Sequence, residues 1–560
     1  MTRPVDASSD DPVRWLGYPG GSVRVAEAAA DKTEVGGGYA KYVTGVLVIV
    51  YVFNFIDRQI VTILAEEIKA DLGISDAQIG FLYGTAFAVF YALFGIPLGK
   101  LADSWTRKNL ISIGLGFWSL MTALSGTARS FFSLAAYRVG VGIGEASASP
   151  AAFSMLSDYF PPRLRATVLA IYSSGIYIGA GIGIFIGGWI VDNWNAAYPD
   201  PAMAPFGIKG WQAAYFAVGL PGILMAIWVY TLREPRRGQS EGLVTEEHPH
   251  PFRETWKELM SVLPPMTLVT LTRAGGGRRV ITRNLIGAAL IALAAWGLIL
   301  LTGDPEQWIA LGIGSYAAFS WVQALGLRDP ATFAMMFRSR AFIYASLGFP
   351  LISPVTYAFG AWAPPFFIRV HGVNVADAGM ILGVSYAIAG WLGITLGGIA
   401  SDRFKSRTGN ARVWVGIVSV AVSAPVTLAM VLTDSLIAAY VLNFIVSIFA
   451  ACWVGAAAST VNDLVMPRMR AIASAYYILM ATVGLAIGPY MVGEVSDVLA
   501  STGMDLGESL RYSLMVSVGL LVFPAVFLTL LLRHLVPDEA SRLERARAAG
   551  EPVEEVETAA

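Results

Sequence analysis

The chain has 560 residues, 55% hydrophobic and only 14% charged, with a formal net charge of −1. A soluble protein of this length carries about 25% charged residues, so the composition excludes an ordinary soluble domain and points to a bilayer as solvent. Lys and Arg are scattered through short loops, which excludes a nucleic-acid surface, and a single cysteine, Cys452, excludes an intrachain disulfide.

Residues 1–40 open with MTRPVDASSDDPVRWLGYPGG. This stretch is polar and acidic and has no apolar core of a signal peptide, so it reads as a disordered cytoplasmic tail. Runs of roughly 20 apolar residues, enough to span a bilayer, fall near 42–64, 77–98, 109–128, 131–152, 166–190 and 211–232. A second set falls near 341–363, 377–399, 411–432, 435–456, 470–492 and 510–532. The first half is thus 41–233 and the second 341–533, followed by a cytoplasmic tail, 534–560. The central segment 234–340 contains a charged stretch and an amphipathic run, FRETWKELMSVL, suited to a membrane surface. It also holds two uncharged runs over 284–325, read as an extra transmembrane hairpin. The expected fold is an all-α polytopic membrane protein with fourteen spans.

Lys and Arg concentrate in the loops after even-numbered spans, at Lys100, Arg107, Lys108, Arg163 and Arg165, and again at Arg403, Lys405, Arg407, Arg412, Arg468 and Arg470. The bias toward cytoplasmic Lys and Arg predicts both termini and the central segment in the cytoplasm, in a cell membrane. The halves also repeat. Asp158-Tyr-Phe-Pro-Pro-Arg163-Leu-Arg165-Ala166 aligns with Asp463-Leu-Val-Met-Pro-Arg468-Met-Arg470-Ala471, and Gly179, Gly183, Gly188 and Asp192 align with Gly484, Gly488, Gly493 and Asp497. Gly99 to Asp103 echoes Gly398 to Asp402, with Arg107 and Arg407 following. Repeated six-helix halves suggest a transporter that rocks about a central site. The glycine run GIYIGAGIGIFIGG lacks the strand that a dinucleotide fingerprint needs, and small residues four apart serve close helix packing instead.

Four charges lie deep in the spans: Asp57, Arg58, Arg138 and Glu145. Each costs roughly 2.5–3.5 kcal/mol at a helix centre and is a functional hypothesis by default. At about 1.5 Å per residue, Asp57 in span one and Arg138 in span four reach similar depth, which predicts that they pair. Glu145 follows Arg138 by nearly two turns on the same face, without a partner at its depth, and suits a switchable proton carrier. Arg58 points about 100° away from Asp57, as a ligand for an anion or as a structural partner. In the repeat register Arg138 falls on Asn443 and Glu145 on Ala450, so these charges belong to the first half alone. Span seven holds Pro350, Pro354, Pro364 and Pro365 and should kink. Tyr357, Trp362 and Trp453 are candidate cavity residues, with packing an equal alternative for each.

Gly99-Lys-Leu-Ala-Asp103-Ser-Trp-Thr-Arg107-Lys108 resembles the signature loop between spans two and three of the major facilitator superfamily. Asn54-Phe-Ile-Asp57-Arg58-Gln59, Arg138-Val-Gly-Val-Gly-Ile-Gly-Glu145-Ala and Ser157-Asp158-Tyr-Phe-Pro161-Pro162 resemble its spinster branch. The resemblance covers nearly all of both halves. Ser104 stands where Arg is usual and Thr106 where Gly is usual, and the inserted hairpin is atypical. The resemblance implies substrate binding and proton coupling for Asp57, Arg58, Arg138 and Glu145, and a state lock at Asp103 and Arg107, with Gly99 allowing close helix approach. It implies an amphipathic cargo such as a lysolipid or phosphorylated sphingoid base.

No cofactor, metal cluster, nucleotide motif or catalytic constellation is evident in the sequence. The expectation is a monomeric, proton-coupled secondary transporter among membrane lipids. An organic-anion transporter anchored by Arg58 or Arg138 is the alternative cargo class, a non-transporting membrane sensor the alternative role, and a membrane enzyme a distant third.

Overall fold

The computed structural model describes residues 23–25, 35–241, 243–245 and 249–551. Most of the expected N-terminal tail, and 552–560 of the C-terminal one, lie outside the described residues. The first half contains α1 (Gly38–Ile63), α2 (Asp76–Ser104), α3 (Arg107–Ser125), α4 (Phe131–Glu145), α5 (Ala148–Tyr159), α6 (Pro162–Ala197) and α7 (Gly210–Tyr230). The central segment contributes the amphipathic α8 (Pro251–Val262) and the hairpin α9 (Arg278–Thr302) and α10 (Pro305–Arg328). The second half contains α11 (Arg340–His371), α12 (Val375–Lys405), α13 (Ala411–Leu432), α14 (Leu436–Asp463), α15 (Pro467–Ser501) and α16 (Leu506–Ala540). A short ribbon, Val23–Val25 antiparallel to Leu243–Thr245, is the one strand pairing among the described residues.

Twelve helices among the described residues are long and apolar enough to cross a membrane, against the fourteen expected. Both hairpin helices are among the twelve. The shortfall is in the third and fourth expected spans. Helix α3 has 19 residues and begins with Arg107 and Lys108. The fourth span breaks after Glu145, where the Ala146 N–H turns back to both Gly142 and Gly144 and α5 restarts at Ala148. The expected kink in span seven is present as a 3-10 turn at Pro350–Ile352, between two helical pieces of α11. Pro350 has no N–H to continue the α-helical ladder, which explains the change of winding there.

The hairpin is zipped by one buried amide. Asn284 Nδ2 donates to Ser320 Oγ (2.9 Å) and Gln323 Oε1 (2.8 Å), and Tyr316 donates to Asn284 Oδ1 (2.8 Å). Its apolar stretch in α9 lies wholly at the molecular surface, whereas α10 packs toward α2. Helix α8 exposes Phe252 and Trp256 and sets Phe252 against Trp105 of the first half, ring centres 5.1 Å apart.

The halves meet through two matched crossings, α6 on α12 and α15 on α2. A Cβ on Gly188 would stand 2.6 Å from the Val375 carbonyl oxygen, and one on Gly493 would overlap the Asp76 carbonyl. Gly188 and Gly493 are the repeat partners seen in the sequence. Each is glycine because the other half's backbone occupies the space of a side chain. Gly181 and Gly383 meet in the same manner on the α6–α12 crossing.

Candidate functional site

A cavity of about 340 Å³ lies between the halves. Its walls come from α1, α2 and α6 on one side and from α11, α12, α14 and α15 on the other. They are mostly apolar, with a ring of tyrosines at Tyr83, Tyr91, Tyr177, Tyr357, Tyr386 and Tyr477. Of the expected ligands, Arg58, Tyr357 and Trp453 line this cavity. Trp453 Nε1 has no hydrogen-bond partner there. Trp362 does not line it: it is buried against α15, donating Nε1 to the Pro489 carbonyl at 2.8 Å.

The four deep charges pair differently from expectation. Arg58 Nε donates to Glu145 Oε2 at 2.6 Å, and the Glu145 side chain is fully buried. The guanidinium of Arg58 stands over three rings, those of Phe55, Phe87 and Tyr91, at 4.5–4.7 Å from their centres. Cation–π attraction strengthens where water is excluded, so this aromatic box fixes the cation at the cavity wall. Glu145 therefore has a partner at its depth, contrary to the sequence reading, and its second oxygen, Oε1, is free of hydrogen bonds.

Asp57 and Arg138 do not form the expected side-chain pair. Arg138 Nη1 donates to the main-chain carbonyl of Asp57 (2.9 Å) and Nε to that of Leu82 (3.3 Å). The Asp57 carboxylate, 1% exposed, makes no hydrogen bond on either oxygen among the described residues. Trp118 and Thr122 of α3 approach it without completing one. One residue of helix separates two environments: Asp57 turns into the interior of the first half, Arg58 into the cavity. Neither Asp57 nor Arg138 lines the cavity. In the second half the matched Asn443 and Ala450 do line it, on α14.

The expected lock at the helix ends is also rearranged. Arg107 is fully buried. It binds Asp158, Ser154 Oγ (2.9 Å), Glu234 (2.7 Å) and the Pro235 carbonyl (2.8 Å), tying α3, α5 and the segment after α7. Asp103 is exposed, and among the described residues no hydrogen bond or ion pair is formed by its carboxylate. Gly99 does not serve a close approach, since a Cβ there would lie an ordinary 4.0 Å from Pro150. In the second half Asp463 binds Lys405 (2.7 Å) and Arg412 (2.5 Å), and Lys405 binds Glu539 (3.1 Å). Arg412 and Glu539 stand to Asp463 in the register in which Arg107 and Glu234 stand to Asp158. The structural counterpart of Arg107 is thus Arg412, not Arg407, which lies over the Phe404 ring.

A second ionic cluster was not expected. At the opposite end of the helices Arg369 of α11 grips Asp76 with both terminal nitrogens (2.6 and 2.7 Å) and donates Nε to Glu66 (2.8 Å). Lys69 and Ser496 also reach Asp76. Asp497 accepts from the Asp76 and Ala77 N–H groups at 3.0 and 2.7 Å. These contacts join the two halves. Their sequence signal is slight: of these residues only Asp497 stands out, as the repeat partner of Asp192.

The Major Facilitator Superfamily profile matches residues 47–489 and, in a second match, 345–558. The chain is 26% identical over 464 residues to an MFS-type efflux pump of Mycolicibacterium smegmatis, covering 83% of this chain and 85% of that one. It is 26% identical over 500 residues to protein spinster homolog 1 of Xenopus tropicalis, covering 85% and 78%. Among solved structures it is similar to a bacterial homolog of the human lysosomal transporter spinster in an inward-facing, unoccupied conformation. That match has a TM-score of 0.68 and 27% identity over 90% of this chain and 98% of that one.

Proposed function

Because the chain belongs to the major facilitator superfamily of membrane transporters, we propose that it moves an amphipathic, anionic lipid-like substrate, of lysolipid or sphingoid type, by proton-coupled alternating access. The observation that carries this reading is Arg58 on the wall of a mostly apolar, tyrosine-rich cavity, paired behind that wall with the fully buried Glu145. An apolar tail fits the tyrosine-lined walls, and an anionic headgroup competes with Glu145 for Arg58. A carboxylate displaced from its only partner in a water-poor site is strongly disfavoured as a charge. It takes up a proton instead, so anion binding and proton binding are linked. Asp57, unpartnered on both oxygens, is a second proton acceptor in the first half, with Arg138 holding the backbone around it. The ionic cluster at Asp76 and Arg369 joins the halves at the end that the Lys and Arg bias assigns to the outside; on this reading the outer end is the closed one, and both termini lie in the cytoplasm of a monomer.

The test is flux of a fluorescent lysolipid in proteoliposomes under an imposed pH gradient, comparing wild type with Glu145→Gln. Gradient-driven movement in the wild type that is lost in the variant supports the reading. Equal movement in both removes Glu145 from coupling. Movement of small organic anions but not lysolipid would instead favour the anion reading, to which the exposed edge of Arg58 also lends itself. Binding without flux of either would favour a sensor.

A further inference from the structure

The inserted hairpin has no counterpart in the two-fold repeat, yet its tip is chemically specific. The single hydroxyl proton of Thr85 of α2 is shared between Gln307 Oε1 and the Ala486 carbonyl of α15, each 2.7 Å from Thr85 Oγ1, and Gln307 is fully buried. Three residues earlier, Asp304 accepts the hydroxyl of Tyr490 of α15 at 2.8 Å. The Trp308 ring stands edge-on to Tyr490, centres 5.5 Å apart. The tip therefore holds one helix from each half, beside the Asp76–Arg369 cluster. Below it α10 runs along the seam, where Val89, Leu93, Gly314 and Val483 line a narrow apolar groove. The groove shares Thr482 with the wall of the central cavity. At the base of the hairpin Asp329 binds Arg468 of the second half, while α8 packs Phe252 on Trp105 of the first. Burying a polar group is costly unless it finds a partner; the Oε1 of the fully buried Gln307 and the carboxylate of the half-buried Asp304 each find one at the tip. Here the partners are drawn from both sides of a seam that must part.

We propose that the hairpin is a clamp across the α2–α15 seam, and that Gln307 and Asp304 are positioning residues that bias the transporter toward the state closed at the Asp76 end. The proposal rests on the alternating-access reading of the halves but on neither the cargo nor proton coupling. When the Asp76 end opens, α2 and α15 separate, and the hairpin tip keeps at most one of its two attachments.

The test measures electron-spin distances between labels at Met203 and Thr502, which lie in exposed loops of the first and second half. The full-length protein is used on a Cys452→Ser background in lipid nanodiscs, without substrate or pH gradient. Losing one intramolecular hydrogen bond shifts an equilibrium by about fivefold. Gln307→Leu and Tyr490→Phe should each raise the long-distance population relative to the short one by about that factor. Leu300→Ala, on the lipid face of α9, should leave it unchanged. Unchanged distributions in both variants, with normal elution and thermal midpoint, overturn the clamp. A shift in only one of them overturns its two-sided form. Tyr490→Phe keeps the ring packing and so keeps the test valid should Gln307→Leu misfold. Because the readout needs no transport, its failure is separable from failure of the lipid reading.

Discussion

At the ends of their helices the two halves are near copies: Arg107, Asp158 and Glu234 stand in the register of Arg412, Asp463 and Glu539, the first trio joined by Arg107 itself and the second through Lys405, which pairs with both Asp463 and Glu539. At the depth of the cavity they part. The first half brings Arg58, Glu145, Asp57 and Arg138, whereas the second offers Asn443 and Ala450 at the positions of Arg138 and Glu145. Duplicated features are those that any six-helix half needs in order to hold its helices together. Charges kept in one copy only, each costly in a bilayer, are the ones to which a role beyond architecture is assigned by the proposed function.

The sharpest way to break this comparison is at Arg58. Arg58→Ala leaves Glu145 buried and unpaired, at a cost of about 3–5 kcal/mol, and should abolish both thermal stability in detergent and transport. The double variant Arg58→Leu/Glu145→Met should recover most of the stability but none of the gradient-driven flux. Recovery of flux would make the pair architectural after all. Next comes a matched pair at the helix ends. Arg107→Ala removes a fully buried guanidinium from two carboxylates and should cost about 3 kcal/mol. Arg412→Ala, on a partly solvated carboxylate that keeps Lys405, should cost about 1 kcal/mol. Equal losses in thermal unfolding would show that the duplicated clusters are energetic equals. Asn443→Ala at the cavity wall should change stability by less than about 1 kcal/mol and leave proton coupling intact, measured as flux against pH gradient. A larger loss would give the second half a role of its own.

The smallest expected effect is at the base of the hairpin. Burial pushes the Asp329 carboxyl up, but hydrogen bonds from Arg468 and Thr332 outweigh it and hold the group at about 2, against an ordinary 3.8. A depressed carboxyl stabilises the fold above its unfolded value and ceases to do so as pH falls through its folded one. The difference in thermal midpoint between wild type and Asp329→Asn should therefore be constant above about pH 5 and close between 3.8 and about 2. Since Arg468 is half exposed, its size should be a fraction of a kcal/mol. A difference that persists below pH 2 would assign the effect to Thr332 and the helix cap instead.

The spans were legible because a bilayer demands long apolar runs, and the repeat because Asp158 and Asp463 sit in the same local motif. The pairing of the deep charges was not legible. Depth along a helix places Asp57 and Arg58 almost together, and only the azimuth, fixed by how α1 packs on the glycines Gly175, Gly179 and Gly183 of α6, sends one inward and the other to the cavity. Apart from Tyr357, the tyrosine ring carries no sequence signal, for a related reason. In helices apolar on every face, no polar stripe marks the side that turns to the cavity. Arg407 was matched to Arg107 because its local sequence is similar, but the turn at Ser406–Asn410 moves α13 so that Arg412 occupies the place. The fourth span gave no warning of its break, since Gly and Ala near Glu145 suit a continuous transmembrane helix equally well.

The α6–α12 crossing, where Gly181 faces Gly383 and Gly188 faces Gly379, has a mechanical consequence. Interlocked side chains move past one another in steps, each knob lifted out of its hole at a cost. Along these glycines two smooth backbones meet without such teeth and one helix rolls on the other as in a plain bearing, as far as Gly390, where the Tyr177 ring is seated. Resistance to rocking is then concentrated away from the axle, in the ionic and hydrogen-bonded ends. An alanine at Gly383, overlapping the Gly181 carbonyl, would turn the bearing into a ratchet.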